Sequence, residues 1–152
     1  MPKSVFGFEK PEHSPGFLLW QTTMTWQRLI NKALEPYKIS HAQFVILAIT
    51  LWFEKKKQEV SQSLIIRQSK LDKMTVSKSL KKLVSESFVK RTEHKTDTRA
   101  KSVCLTKKGR DMASKLVPIV EKIDATFFGF LKKTDQQSLI GILDDLVSKV
   151  EY

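Results

Sequence analysis

Residues 61–110, SQSLIIRQSKLDKMTVSKSLKKLVSESFVKRTEHKTDTRAKSVCLTKKGR, hold the pattern from which the rest of the chain is read. Ser61 offers a hydroxyl to cap a helix that buries Ile65 and Ile66. Ser69-Lys70-Leu71 follows, a turn of the length that a helix-turn-helix requires. Asp72 then caps a second helix over about residues 73–85, in which Val76, Leu80 and Leu83 recur at i, i+4 and i+7 and fix the core-facing side. Residues 88–92 and 100–105 read as two strands joined by the charged loop 93–99.

Helix, turn, basic helix and hairpin in that order make a winged helix-turn-helix, which lays its second helix in the major groove of DNA. With Val76, Leu80 and Leu83 turned inward, the outward side carries Met74, Ser77, Lys78, Lys81 and Ser85, flanked by Thr75 and Lys82. Short hydroxyls reach base edges or phosphates, a methionine suits a thymine methyl, and lysines meet phosphates or guanine. Ser61 and Lys73, at the starts of the two helices, complete the candidate contacts on this part of the chain. Lysines on the outer side of a helix are common on any protein surface, and a charged hairpin tip is often only solvated. The order of the elements is what favours DNA.

Charge supports that reading. The 152 residues carry 27 Lys+Arg against 16 Asp+Glu, net +11. Between Arg67 and Arg110 stand 14 basic and 4 acidic residues, so nearly all of the excess lies in one stretch. A localised positive field attracts a polyanion and steers its approach. The bland alternative is a solvated face that keeps the protein in solution. Hydrophobic residues at 41% and charged residues at 28% are ordinary for a globular chain of one-domain size.

The flanks read as helical. Residues 1–14 form an arm, and Ser14-Pro15 opens a helix that runs to about Glu35, where Pro36 stops it. Phe17, Trp20, Met24, Ile30 and Leu34 form its stripe, widened by Leu19, Trp26 and Ala33, which predicts burial on two sides. Ser40 and Gln43 form a capping box, with Ile39 able to staple onto Phe44, for a core helix carrying Phe44, Val45, Leu47, Ala48, Leu51 and Trp52. That helix ends in the polar run 54–59. Thr106 caps a long helix to about Lys132 or Lys133, bent at Pro118, with Met112, Leu116, Val120, Ile123 and Phe127 along one stripe. Thr134 and Gln137 form a capping box for a last helix with Leu139, Ile142, Leu143, Leu146 and Val150. The fold class is therefore mainly α with a small β-hairpin wing. Residues 1–39 are an arm and dimerisation helix, 40–106 the DNA-binding region and 107–152 the C-terminal dimerisation helices of one compact domain. An intramolecular helical core is the alternative use of the outer helices.

From Ser40 onward, and in helical plan throughout, the chain resembles the multiple-antibiotic-resistance regulator (MarR) family of bacterial transcription factors. Asp97-Thr98-Arg99-Ala100, Leu105-Thr106 and Gly109-Arg110 resemble the family's wing signature, and Leu71-Asp72-Lys73-Met74-Thr75-Val76-Ser77 resembles the start of its recognition helix. The resemblance implies an obligate homodimer on a pseudo-palindromic site, a repressor released by a small effector, with the recognition helices about 34–36 Å apart. It also implies that Arg99 reaches a minor groove, where narrowing raises the negative potential, while Asp97 orients it. The alternative is that Asp97 and Arg99 only tie the hairpin together. Ser87 departs from the family pattern, which has glycine there; a left-handed backbone at this position costs a non-glycine residue about 1–2 kcal/mol.

Other chemistry finds little material. His13, His41 and His94 lack metal-ligand spacing, five glycines supply no phosphate loop, and no cofactor or catalytic constellation is visible, so an enzyme is not expected. Cys104, alone in the chain, excludes an intramolecular disulfide, indicates a reducing cytoplasm and reads as a quiet strand cysteine, with a redox sensor as the alternative. Residues 1–16 contain no secretory apolar run, and the longest apolar tract, residues 44–53, is too short for a bilayer, so no membrane partner is expected. Relatives in the resembling family bind small lipophilic or phenolic effectors. Trp20, Trp26 and Phe44 are the candidate lining here, with plain core packing as the alternative use of those rings. A nonspecific or architectural nucleic-acid-binding protein remains the rival to a sequence-specific regulator.

Overall fold

Proline and serine set the first boundary. In the computed structural model, which describes residues 3–92 and 102–150, Ser14 Oγ accepts from Phe17 N–H and opens α1, Pro15–Leu34. Pro36 does not stop the chain abruptly but carries it through a single 3-10 turn, Glu35–Tyr37, closed by Lys38 in the left-handed region. The capping box at Ser40 and Gln43 is complete in both directions and starts α2, His41–Lys55. Ser61 and Asp72 cap α3, Gln62–Ser69, and α4, Lys73–Ser85. The hairpin strands are β1, Val89–Thr92, and β2, Ser102–Leu105, antiparallel with Val89 opposite Leu105. α5, Lys107–Phe128, and α6, Lys133–Lys149, complete the chain.

Two helical boundaries differ from the sequence reading. α5 ends at Phe128, not near Lys132, because the chain turns there, with Leu131 N–H donating to Phe128 O. α6 then starts one residue before Thr134, with Lys132 at the N-cap and no side-chain cap, so the Thr134–Gln137 box does not form. Gln136 closes the turn instead, its Nε2 donating to Leu131 O at 2.9 Å. α5 continues through Pro118, which has no N–H to offer the Ser114 carbonyl.

The core lies between the second half of α1, α2, α3, α4, the hairpin roots and the first half of α5. Ile30, Leu34, Ile46, Leu47, Ile65, Val76, Leu80 and Leu116 are all fully buried. Ile66 is only half-buried, and Leu64 takes the second inward place on α3. Trp52 points away from the core at 62% exposure, under Lys56 Nζ. The expected two-sided burial of α1 does not occur within this chain: Ile30 and Leu34 bury one side of its C-terminal end, while Phe17, Leu19, Trp20 and Leu29 are exposed. α6 buries none of its residues, and Ile142, Leu143 and Leu146 all remain exposed in this single chain.

Among the described residues, four other than glycine sit at positive φ: Lys38, Lys57, Lys70 and Ser87. Each closes the end of a helical segment. None of the described glycines adopts such a backbone.

Candidate nucleic-acid interface

The seat of α4 is built from its two ends. At the N-terminus, Asp72 accepts twice from Thr75, through Oδ1 from the backbone N–H and through Oδ2 from the hydroxyl, both at 2.7 Å. The backbone donor first, then the hydroxyl, holds the Asp72 carboxyl below its ordinary range. At the C-terminus, Ser87 is left-handed at φ 65, Ser87 N–H donates to Val84 O, and Phe88 N–H donates to Leu83 O. These paired bonds form a Schellman ending, with the buried Leu83 and Phe88 supplying its apolar contact.

Between those ends the helix divides cleanly. Val76 and Leu80 are fully buried and Leu83 nearly so, while Met74 is 82% exposed and Lys73, Lys78, Lys81 and Lys82 are all exposed. Ser77 and Thr75 are half-buried. Thr75 has its hydroxyl proton committed to Asp72, which leaves its oxygen only acceptor capacity toward DNA. Ser61 is likewise engaged, its Oγ accepting from Leu64 N–H. Asp97 and Arg99 lie outside the described residues.

The wing is anchored by the residues of the Leu-Thr and Gly motif. Thr106 caps α5 by accepting from Gly109 N–H, and its hydroxyl donates to Ser87 O at 2.6 Å and more weakly to Phe88 O. Gly109 packs so closely on the Phe88 backbone that a Cβ there would collide with the Phe88 carbonyl. Lys108 reaches back over the Phe88 ring and donates to Glu86 O. The strained Ser87 therefore stands inside a lattice of bonds from α5.

Two contributions lie outside the sequence reading. Val60, 2% exposed, accepts from Val103 N–H, and Ser61 bridges Ser102, so residues 60–61 run as a partial third strand along β2. Glu54, which reads only as part of a polar helix end, accepts from Leu105 N–H and pairs with Arg110. A signal exists for the second: a carboxylate in the last turn of a helix opposes the macrodipole and so calls for a partner elsewhere.

The aromatic trio falls into separate places. Trp26 lines a cleft of about 390 Å³ between α1 and α6, with Leu18, Leu139 and Leu143. Phe44 and Trp52 line another of about 470 Å³ between α2 and α5. Trp20, 61% exposed, lines neither. Trp26 Nε1 donates to Asp124 at 2.7 Å, and its ring meets His41 edge-on at 5.1 Å. Burial lowers the His41 pKa, opposed by the Asp124 charge. Cys104 is exposed on β2 as a free thiol, and no cluster of metal-ligating side chains occurs among the described residues.

Residues 35–123 match the family model described as an ArnR1-like winged-helix domain. The chain is 36% identical over 128 residues to the HTH-type transcriptional regulator YdcH of Bacillus subtilis (strain 168), covering 84% of this chain and 87% of that protein. Among solved structures it is similar to BpsR of Bordetella bronchiseptica, whose DNA binding is regulated by 6-hydroxynicotinic acid. The TM-score is 0.82 at 22% identity, over 95% of this chain and 100% of the other. A mutant form of MarR from E. coli, complexed with operator DNA, matches with a TM-score of 0.74 at 22% identity, over 86% of this chain and 91% of the other.

Proposed function

This chain belongs to the MarR family of winged helix-turn-helix, DNA-binding transcriptional regulators, and we propose that it acts as a homodimer on a pseudo-palindromic promoter site. Each head lays α4 in a major groove, with Met74 and Ser77 toward base edges and Lys73, Lys78, Lys81 and Lys82 toward phosphates. Arg99, oriented by Asp97, enters the neighbouring minor groove. The reading rests on the seat of α4: one side is locked into the core while the other is basic and open. The uncovered apolar residues of α6 and of the first turns of α1 are the surface on which a second copy closes.

The protein works in the cytoplasm as a repressor released by a small lipophilic or phenolic effector. Such a ligand enters the clefts beside Trp26 or Phe44, which border the helices that set the separation of the heads. Because a shifted half-site loses contacts, a small helix movement is enough to change affinity. No helix among the described residues is long and apolar enough to cross a membrane.

Selection of bound genomic fragments followed by sequencing tests the proposal. A palindromic consensus is expected, with affinity falling roughly 10³–10⁵-fold between 50 and 200 mM salt if six to ten phosphates are contacted. Fragments recovered without sequence preference would favour an architectural protein instead.

A further inference from the structure

The outer edge of β2 turns two backbone N–H groups away from β1, and they find different acceptors. Val103 N–H donates to the backbone carbonyl of Val60, while Leu105 N–H donates to Oε1 of Glu54, each at 2.9 Å. Leu105 is 6% exposed, so water is a poor substitute for that carboxylate. The other oxygen, Oε2, faces Arg110 Nη2 at 3.5 Å. One side chain thus ties the last turn of α2 to the end of β2 and to the first turn of α5.

We propose that Glu54 is a positioning residue for DNA recognition, setting the direction in which the wing leaves the head. The inference rests on the wing reading given above. A carboxylate accepting a backbone N–H is a strong, directional bond, and here it takes the place that a third strand occupies one residue pair earlier. The two helices that Glu54 joins through Arg110 also wall the α2/α5 cleft. Leu51 and Trp52 line that cleft within a turn of Glu54, and Val117 lines it two turns beyond Arg110. A ligand that spreads those walls pulls on β2 through Glu54.

The test uses the full-length protein and a duplex carrying the selected palindrome. Glu54→Ala is expected to bind about tenfold more weakly, the scale of one lost charge-assisted hydrogen bond. The loss should persist in a Lys78→Ala background and shrink below about threefold in Arg99→Ala, where the wing contact is already gone. Glu54→Gln, still an acceptor for Leu105, should recover most of the affinity. Amide hydrogen exchange should accelerate at Leu105 in Glu54→Ala while Leu80 and Leu83 stay protected. Arg110→Ala, which breaks only the ion pair and keeps the Leu105 bond, should show the same dependence on Arg99 at about threefold and serves for the binding arm if Glu54→Ala does not fold. A full tenfold loss in the Arg99→Ala background, or unchanged Leu105 exchange, would overturn the role. Arg99→Ala binding as tightly as wild type would sink the wing reading itself, before any Glu54 variant is made.

Discussion

The head and the terminal helices of this chain spend similar apolar sequence in opposite ways. In the head, Val76, Leu80, Leu83, Phe88 and Leu105 are all buried, and the helix caps and strand edge find partners within the same chain. Along α6 the apolar residues Ile142, Leu143, Leu146 and Val147 lie between 37% and 57% exposed, and the N-cap has no side-chain bond. The head buries its apolar face within one chain, whereas α6 leaves its own exposed. Basic charge follows the same division, concentrated where the apolar surface is already covered and therefore free to serve a polyanion.

The largest effect is expected from breaking the exposed apolar face of α6. Leu143→Glu with Leu146→Glu should leave a monomer in analytical ultracentrifugation and lower operator affinity about 10²–10⁴-fold, the loss expected when two linked half-site contacts become independent. A double variant that stayed dimeric would place the interface elsewhere. Next comes Gly109→Ala, which forces a methyl into the Phe88 backbone. A loss of about 3 kcal/mol or more in thermal or urea unfolding is expected, because backbone gives way less readily than a side-chain tip. Gly141→Ala on α6 meets open space and should gain about 0.5–1 kcal/mol from helix propensity alone. A loss there would put Gly141 inside the dimer contact.

How far these regions are legible in the sequence follows the range of the forces involved. Caps at Ser14, Ser40, Ser61, Asp72 and Thr106 are local devices, and each forms where its residue type and spacing place it. The inward triad of α4 is equally plain from its spacing. Thr134 has the same cap chemistry, yet Gln136 bonding to Leu131 O stabilises a turn one residue earlier. Trp52 fits the core stripe of α2 but faces outward, since Phe44, Leu47 and Leu51 already fill that side. Glu54 and Val60 meet β2 more than 40 residues away, and no period in the sequence announces such a meeting.

The joint between the two regions has its own pH response. Burial holds the His41 pKa below its ordinary value of 6.5, so the unfolded chain takes up a proton more readily than the folded one. The associated stability is fully present above pH 6.5 and is lost as pH falls through the lower folded value. Unfolding midpoints measured from about pH 7.5 down to about 5 should decline, and His41→Gln should flatten that decline. Asp72 acts in a lower window, its contribution disappearing below its ordinary 3.8 as the carboxyl protonates. A pH profile indifferent to His41→Gln would remove that residue from the account.

The smallest expected effect on DNA binding concerns the turn that joins α4 to the wing. Ser87→Gly should stabilise the head by about 1 kcal/mol by relieving the left-handed serine. Because Thr106 and Lys108 already hold that turn, operator affinity should barely change. A gain in stability accompanied by a large loss of binding would mean that the serine contacts DNA.

Lys38, Lys57 and Lys70 hold the same backbone strain for a different return. Each places a cation by the carbonyl end of a helical segment, where the macrodipole offsets part of the cost. Glycine at all three would relax the turns but remove three charges from a protein whose net is +11. Thermal robustness and attraction to a polyanion are therefore set against each other at the same positions. Directed evolution for heat tolerance should find these lysines early, and its winners should scan DNA more weakly.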